Sequence, residues 1–253
     1  MRQRKTSILK GIEGWWHRLL HCPIHVFVFH HVSDERDPLI SGKPDWTKTS
    51  VFFSNLHVLK KKYRFISLTS AYSKIKNDRI RFRKYAVLTT DDGLRTILSV
   101  FPWIEDNGIP LTCFINAKYM DGHSYKAEDV VRIRKVDPSA DIGHVIKRQY
   151  LNYNEVLALD SPLISIASHG FEHIDSTVQN ENDFKDNILK CKKALENHPR
   201  YIPFFAYPWG NHDKSTDQVL SEMGLVPVLV DGIANYNDAS IIHRECIDGL
   251  LLS

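Results

Sequence analysis

The chain has 253 residues, 43% of them hydrophobic and 25% charged, and this composition excludes an intrinsically disordered protein. Lysine and arginine outnumber the acidic residues by only 33 to 30, so the net charge of +3 gives no general argument for nucleic-acid binding. We therefore expect no nucleic-acid partner, and the length suits one large α/β domain.

The four cysteines are far apart and form no Cys-x-x-Cys pair, which argues against a cysteine zinc site and against a disulfide framework. No apolar run reaches the roughly 18 residues of a membrane-spanning helix, and charged residues interrupt the N-terminal segment where a signal peptide would be continuous. These features predict a cytoplasmic protein, with membrane association as an alternative.

Residues 1–22 predict an amphipathic helix, because apolar side chains recur at helical spacing among basic ones. The apolar positions are Ile8, Ile12, Trp15, Trp16, Leu19 and Leu20. Such a helix most often packs against its own domain, while tryptophans with basic flanks also suit a peripheral membrane contact. We treat residues 1–22 as an N-terminal extension and residues 23–253 as one domain.

Beyond residue 22, short apolar runs alternate with longer amphipathic segments, as expected when strands are each followed by a crossover helix. The predicted strands are 24–30, 85–90, 111–115, 163–167, 203–207, 226–230 and 241–246. The predicted helices are 51–63 with Ser50 as the cap, 94–107, 152–159, 180–196 and 215–223. Residues 118–149 are polar and are interpreted as an insertion.

Six or seven strand-helix units predict an α/β fold, specifically an incomplete or distorted (β/α) barrel with its functional residues at the carboxyl ends of the strands. Polar clusters follow three of the predicted strands. They are Asp91-Asp92-Gly93, His169 to His173, and Tyr207-Pro208-Trp209-Gly210.

The pair His169 and His173 is a candidate metal site because it follows a strand, where one turn of helix could point both imidazoles at one ion. Spacing alone is weak evidence among 13 histidines, since His17/His21 and His21/His25 share it. The alternative is a pair of ordinary packing histidines.

Asp91 and Asp92 precede a glycine, so a turn or a helix cap is the simplest interpretation of either residue alone. Adjacent carboxylates at a strand end can also divide the work, one binding a cation and the other accepting a proton. Two histidines and one carboxylate would leave coordination positions open, as a catalytic zinc requires.

Three segments, LTTDDG, SHGFEHIDST and FFAYPWG, resemble in that order the first three motifs of the polysaccharide deacetylase family (NodB-homology, carbohydrate esterase family 4). The early FHHVSD is similar to the Tyr-His-x-Val of one branch, with Phe29 and His30 in those positions, and the likeness spans residues 26–246.

The resemblance implies a barrel of the NodB type and a hydrolase that removes N-acetyl groups from a carbohydrate partner, either a glycan or a glycan precursor. It implies that Asp92, His169 and His173 bind a divalent metal ion, with zinc as the first choice. Asp91 would be the base that activates the water. The backbone N–H of Trp209 would stabilise the oxyanion.

Two positions depart from the family pattern. Ala206 stands where many members have an arginine that orients the base, and Arg244 is one candidate replacement for it. The form Phe-Ala-Tyr-Pro-x-Gly is nevertheless common in a branch of the family linked to exopolysaccharide deacetylation. The late Leu-x-x-His motif of the general acid is not clearly present. The candidates for that acid are His243, His30 and His144.

The predicted substrate contacts are Trp209, Tyr207 and His30. An aromatic side chain at the rim of a strand-end pocket can stack on a sugar, while packing alone is the alternative for Tyr207.

Two other functions stay open. The first is a metal-dependent amidase for a small non-sugar amide or imide. The second is a catalytically inactive, carbohydrate-binding relative, which Ala206 and the unassigned acid would explain.

Overall fold

A computed structural model describes residues 22–34, 46–77, 82–122, 124, 126–139, 141 and 149–252. Nearly all of the predicted N-terminal extension lies outside the described residues, as does His144. The helix over residues 1–22, its membrane contact and the domain boundary at residue 23 therefore stay predictions.

Seven parallel strands close into a barrel, and shorter strands lie beside it. The strands are Ile24–Phe29 (β1), His31–Val32 (β2), Trp46–Thr47 (β3), Arg64–Phe65 (β4), Tyr85–Thr90 (β5), Leu111–Ile115 (β6), Ile164–Ser168 (β7), Tyr201–Ala206 (β8), Val226–Val230 (β9) and Ile242–Cys246 (β10). The barrel order is β1-β10-β9-β8-β7-β6-β5, with β5 pairing back to β1. This topology confirms the predicted (β/α) barrel.

Helices connect most of the barrel strands. They are Thr49–Lys62 (α1), Leu68–Asn77 (α2), Ile97–Asp106 (α3), Ala127–Val136 (α4), Tyr153–Ala158 (α5), Glu181–Leu195 (α6) and Lys214–Glu222 (α7). None of the helices in the described part of the chain has the length and apolarity needed to span a membrane.

Most predicted elements agree with the structure to within about two residues. No prediction covered α2, α4 or the two-residue strands β2, β3 and β4, and the predicted cap of α1 was wrong. That helix begins at Thr49, and the side chain of its N-cap residue, Lys48, makes no capping hydrogen bond, so Ser50 already lies inside the first turn. Oδ1 of Asp34 accepts from the backbone N–H of Thr49 at 3.1 Å.

Alternate residues of a strand point to opposite faces, and the barrel therefore has two apolar layers. One layer packs the outer faces of the strands against helices such as α1 and α3. The other fills the barrel interior with side chains from successive strands, among them Val26, Val87, Phe114, Ala167 and Val228. Interior positions that reach the carboxyl ends of the strands carry polar side chains instead.

The segment after β10 is fixed to the rest of the domain by hydrogen bonds. The buried Asn55 on α1 donates to the carbonyl of Leu250 at 2.7 Å and accepts from the backbone N–H of Leu252 at 2.8 Å. The backbone N–H of Gly249 donates to the Thr47 hydroxyl at 2.9 Å. These contacts hold Asp248 at the carboxyl end of the barrel.

Candidate metal centre and active site

Asp92, His169 and His173 converge at the carboxyl end of the barrel. Oδ1 of Asp92 lies 3.5 Å from Nε2 of His173 and 3.7 Å from Nε2 of His169. Two ligands of a tetrahedral zinc ion, each bonded at about 2.0–2.1 Å, are separated by roughly 3.3 Å. The three groups thus have the spacing and the donor types that a divalent metal ion requires.

The backbone of Ala206 sets the orientation of His169. Nδ1 of this buried imidazole lies 2.8 Å from the Ala206 carbonyl, to which it donates, so Nε2 faces Asp92. Such a contact to the second nitrogen commonly orients metal-binding histidines. Burial lowers the pKa of His169 to about 4, and the nearby His173 adds to that effect against the opposing charge of Asp91. His169 is therefore neutral and ready to bind a metal.

The two histidines lie on an irregular loop, which corrects the prediction of a helical turn. Residues 169–175 have no helical hydrogen-bond pattern, and Gly170 adopts a left-handed conformation with φ of 80°. A Cβ atom at residue 170 would come within 2.8 Å of Oδ1 of Asn187. That oxygen accepts the backbone N–H of Phe171 at 2.7 Å and so fixes the loop between the histidines.

Arg244 holds the carboxylate of Asp91 with two parallel hydrogen bonds. Nη1 donates to Oδ1 at 2.6 Å and Nη2 donates to Oδ2 at 2.7 Å. The guanidinium is completely buried and lies 5.0 Å from the centre of the Phe114 ring in the barrel interior. The structure thus pairs Asp91, the predicted base, with the arginine considered from the sequence as a replacement at Ala206.

Asp91 is ionised in this environment. Burial would raise its pKa, but the charge of Arg244 and the hydrogen bonds that Arg244 donates together hold the pKa of Asp91 below its ordinary value. Oδ2 lies 3.9 Å from Nε2 of His169, so the carboxylate adjoins the candidate metal centre.

Asp92 and Trp209 are the non-glycine residues with positive φ, at 70° and 62°, in the described ranges. A left-handed conformation is uncommon for aspartate and more so for a bulky aromatic, and such strain is concentrated at functional sites. At Asp92 the left-handed conformation accompanies a separation of the two adjacent carboxylates: Asp91 faces Arg244, while Asp92 faces the histidines.

The aromatic residues of the third motif have different environments. Trp209 is 59% exposed, and its ring centre lies 4.8 Å from that of His173, at the rim of the site. Tyr207 is only 1% exposed and donates its hydroxyl to Asp217 on α7 at 2.9 Å. The structure therefore corrects the predicted substrate contact of Tyr207, whose side chain packs in the core and offers no surface to a sugar.

His30 forms a pair with Asp248. Nδ1 of His30 lies 2.6 Å from Oδ2, and the backbone N–H of His30 donates to Oδ1 at 3.1 Å. Burial would lower the pKa of His30, but the hydrogen bonds with Asp248 and Cys246 and the charges of Asp248 and Asp91 raise it well above its ordinary value. The pair with Asp248 therefore favours the protonated form of the His30 imidazole.

His243 is excluded as the general acid by its direction. It precedes the interior Arg244 on β10, so it points to the outer face of the barrel, where Nδ1 lies 2.5 Å from Oδ2 of Asp231. Of the two candidate acids in the described part of the chain, His30 and His243, the structure brings His30 within reach of the charge of Asp91.

Lys126 lies in the candidate site but was not predicted from the sequence. It is 5% exposed, and its Nζ lies 2.6 Å from Oδ1 of Asp92, the oxygen that also faces both histidines. The ammonium also lies over the rings of Tyr119 and Tyr150, at 5.7 and 5.6 Å from their centres. It enters from the segment interpreted as an insertion, where no motif signalled a role.

Several solved structures share this fold. IcaB from Ammonifex degensii has a TM-score of 0.70 at 18% identity over 90% of this chain and 93% of its own. The deacetylase PplD from Streptococcus pyogenes has a TM-score of 0.68 at 16% identity, over 90% and 93%. The de-N-acetylase from Aggregatibacter actinomycetemcomitans has a TM-score of 0.67 at 15% identity, over 89% and 95%.

The sequence itself gives a more direct assignment. No curated protein matches the chain, but the family model described as polysaccharide deacetylase matches residues 79–228. That range includes Asp91, Asp92, His169 and His173, and it stops before Arg244. Since the match covers more than half of the sequence, the chain belongs to the polysaccharide deacetylase family of hydrolases.

Proposed function

We propose that this protein is a metal-dependent deacetylase that removes N-acetyl groups from a carbohydrate. The observation that supports this function most strongly is the ionised, arginine-held Asp91 beside the Asp92, His169 and His173 cluster. The structurally similar PplD is described as a deacetylase in complex with acetate, which is the second product of the proposed reaction.

Asp92, His169 and His173 would hold a divalent ion, with zinc as the first choice for a site of two imidazoles and one carboxylate. When bound, such an ion polarises the acetamide carbonyl and lowers the pKa of water towards about 7. Within the protein, the Ala206 carbonyl keeps the lone pair of His169 Nε2 directed at this place.

Asp91 takes the proton of the attacking water on its Oδ2 atom, which lies on the side of the metal ligands. Arg244 contributes in two ways. Its two donors fix the plane of the carboxylate, and its charge keeps the carboxylate unprotonated before the water arrives.

His30 donates the proton that the leaving amine needs. Asp248 stabilises the protonated imidazole through Nδ1, which leaves Nε2 to give its proton to the nitrogen of the substrate. Asp91 and His30 thus hold opposite protonation states at one pH, as a base and an acid must.

Trp209 offers an exposed ring to the flat face of a sugar, and its backbone N–H is the donor for the carbonyl oxygen. An exposed aromatic at the rim favours a glycan over a small amide, for which an enclosed pocket would serve better. The contact between Arg244 and Asp91 also removes the main reason to consider the protein inactive.

The test is acetate release from a panel of N-acetylated glycans and glycan precursors, with zinc, with cobalt and without metal. Metal-dependent release by the unchanged protein, lost in Asp91→Asn and in His169→Ala, is the expected result. His243→Ala is the matched control, because this histidine faces outward, and it should keep the activity. Tight metal binding without acetate release from any substrate would overturn the proposal.

A further inference from the structure

A second group of metal-ligand side chains lies at the carboxyl ends of β1 and β10. These strands are neighbours, with Val28 opposite Cys246, so His30, Cys246 and Asp248 emerge side by side. Their ligand atoms all lie within 4.8 Å of one another. Sγ of Cys246 is 3.4 Å from Oδ2 of Asp248, and Nδ1 of His30 is 2.6 Å from the same oxygen.

This group has the donors and the spacing of a zinc-type site. Imidazole, thiolate and carboxylate are the ligands that zinc and cobalt use in proteins. With bonds of about 2.3 Å to sulfur and about 2.0 Å to oxygen, two zinc ligands lie roughly 3.5 Å apart, close to the Cys246–Asp248 distance. The contact between His30 and Asp248 would have to open by less than about 1 Å.

The group is also both anchored and accessible. Oδ1 of Asp248 accepts from the Thr47 hydroxyl at 3.4 Å, and the backbone N–H of His30 lies 3.1 Å from Oδ1 and 3.2 Å from Oδ2, so the carboxylate is held in place beside the thiol. Asp248 is buried, whereas Cys246 is exposed, so an ion can reach the group from solvent.

We propose that His30, Cys246 and Asp248 form a second, inhibitory binding site for a zinc-type divalent cation, separate from the Asp92, His169 and His173 site. The binding follows from the geometry alone. The inhibition rests on the proposed function, because an imidazole that binds a cation through Nδ1 is no longer paired with Asp248 as a proton donor. Zinc would thus support the reaction at one site and suppress it at the other.

Cobalt titration of the full chain tests the binding, since only the second site contains sulfur. We expect two cobalt ions per chain and a thiolate-to-cobalt charge-transfer band in the near ultraviolet. Cys246→Ser should bind one ion and show no band, whereas His169→Ala should lose one ion and keep the band. Cys22→Ser is the control, because Cys113 and Cys191 are buried, and it should keep the band.

Absence of the band in the unchanged protein, or its survival in Cys246→Ser, would overturn the second site. This result is independent of catalysis, so it stands even if no substrate is ever deacetylated.

Inhibition is measured separately as acetate release against zinc concentration. The rate of each variant is divided by its own rate at one equivalent of zinc per chain. Loss of the general acid predicts a fall of about a hundredfold or more in the unchanged protein. An equal fall in Cys246→Ser would refute the inhibitory role.

Discussion

Two titratable residues, Asp91 and His30, face the same site with pKa values displaced in opposite directions. Each displacement depends on one partner from the last part of the chain, Arg244 for the carboxylate and Asp248 for the imidazole. Both partners can be changed without altering the base or the acid itself, so the pH dependence of the reaction can be used to test each assignment.

Replacing Arg244 tests whether this residue keeps the carboxyl group of Asp91, the proposed base, ionised. Arg244→Met removes the opposing charge, so the pKa of Asp91 should rise and the low-pH limb of kcat/KM should move to higher pH. Arg244→Lys keeps a charge but cannot donate to both oxygens, so its low-pH limb should lie between those of the unchanged protein and of Arg244→Met. Leaving Asp91 buried without its partner should also cost roughly 3–5 kcal/mol of unfolding free energy. An unmoved low-pH limb in folded Arg244→Met would contradict the assignment.

Replacing Asp248 tests the acid. As the proposed acid, His30 would act in its protonated form, so activity should be lost as the pH rises through its pKa. Asp248→Asn should lower that pKa and move the high-pH limb of the rate profile to lower pH. Asp231→Asn is the matched control, since it breaks the corresponding pair with the outward-facing His243 and should leave the profile in place. Equal profiles for the two variants would remove His30 from the mechanism.

At the scale of elements, the loop over residues 169–175 depends on a glycine for two separate reasons. Gly170 has a positive φ, and it also lies against Asn187 on α6. Gly224 has a similar φ of 71° but has no atom within 4 Å of an added Cβ. The two glycines therefore allow backbone strain to be separated from steric overlap.

We expect Gly224→Ala to lower the unfolding free energy by about 1–2 kcal/mol, the cost of a left-handed alanine. Gly170→Ala should cost more, because Asn187 must also move, and it should weaken metal binding by shifting His169 and His173. Urea unfolding and metal titration of both variants measure the two effects. Equal losses in the two variants would show that the contact with Asn187 is unimportant.

Lys126 brings the segment interpreted as an insertion into contact with Asp92, one of the proposed metal ligands. An ammonium and a metal ion would compete for Oδ1 of Asp92, so Lys126→Met should bind zinc more tightly than the unchanged protein. Without metal the same variant should be less stable by roughly 3–5 kcal/mol, because a buried carboxylate loses its partner. Calorimetric titration and thermal unfolding measure these opposite changes.

Lys118→Met is the control for Lys126. Lys118 pairs with Glu172 at the same 2.6 Å but with both side chains 36% exposed, so its loss should cost less than about 1 kcal/mol and leave zinc affinity unchanged. Weaker zinc binding in Lys126→Met would mean that the ammonium assists the site and does not compete for it.

At the scale of the whole molecule, the barrel collects one site from distant parts of the sequence. Asp91 follows β5, His169 follows β7, and Arg244 lies on β10. A metal ion held by Asp92, His169 and His173 should therefore stabilise the entire fold. At a hundredfold excess over its Kd, zinc should add about 2.7 kcal/mol to the unfolding free energy. A chelator should remove this gain, and Asp92→Asn should not show it.

Much of this architecture could be predicted, because strands such as β1, β6 and β9 are largely apolar and each predicted cluster lies at the carboxyl end of a predicted strand. β5, β6 and β9 have the predicted bounds. β4 has only two residues, too few for a periodic signal. In α2, by contrast, Leu68, Ala71 and Ile75 recur at helical spacing and are buried, so this helix could have been predicted.

The site was predictable where it consists of local motifs and unpredictable where it depends on contacts between distant residues. Asp91, Asp92, His169 and His173 follow strands in recognisable segments. The contacts of Lys126 with Asp92 and of His30 with Asp248 join residues 34 and 218 positions apart, and no sequence spacing encodes them. Tyr207 was misjudged because a motif does not show which of its aromatic side chains turns inward.

The position of Arg244 has a consequence for surveys of this family. A survey that scores the third motif for its arginine would set this chain aside as a degenerate enzyme, since Ala206 occupies that place. The guanidinium instead reaches the carboxylate from β10, two strands away around the barrel. Relatives with a small residue at the motif position should therefore be sorted by the residue that matches Arg244 before they are dismissed as inactive.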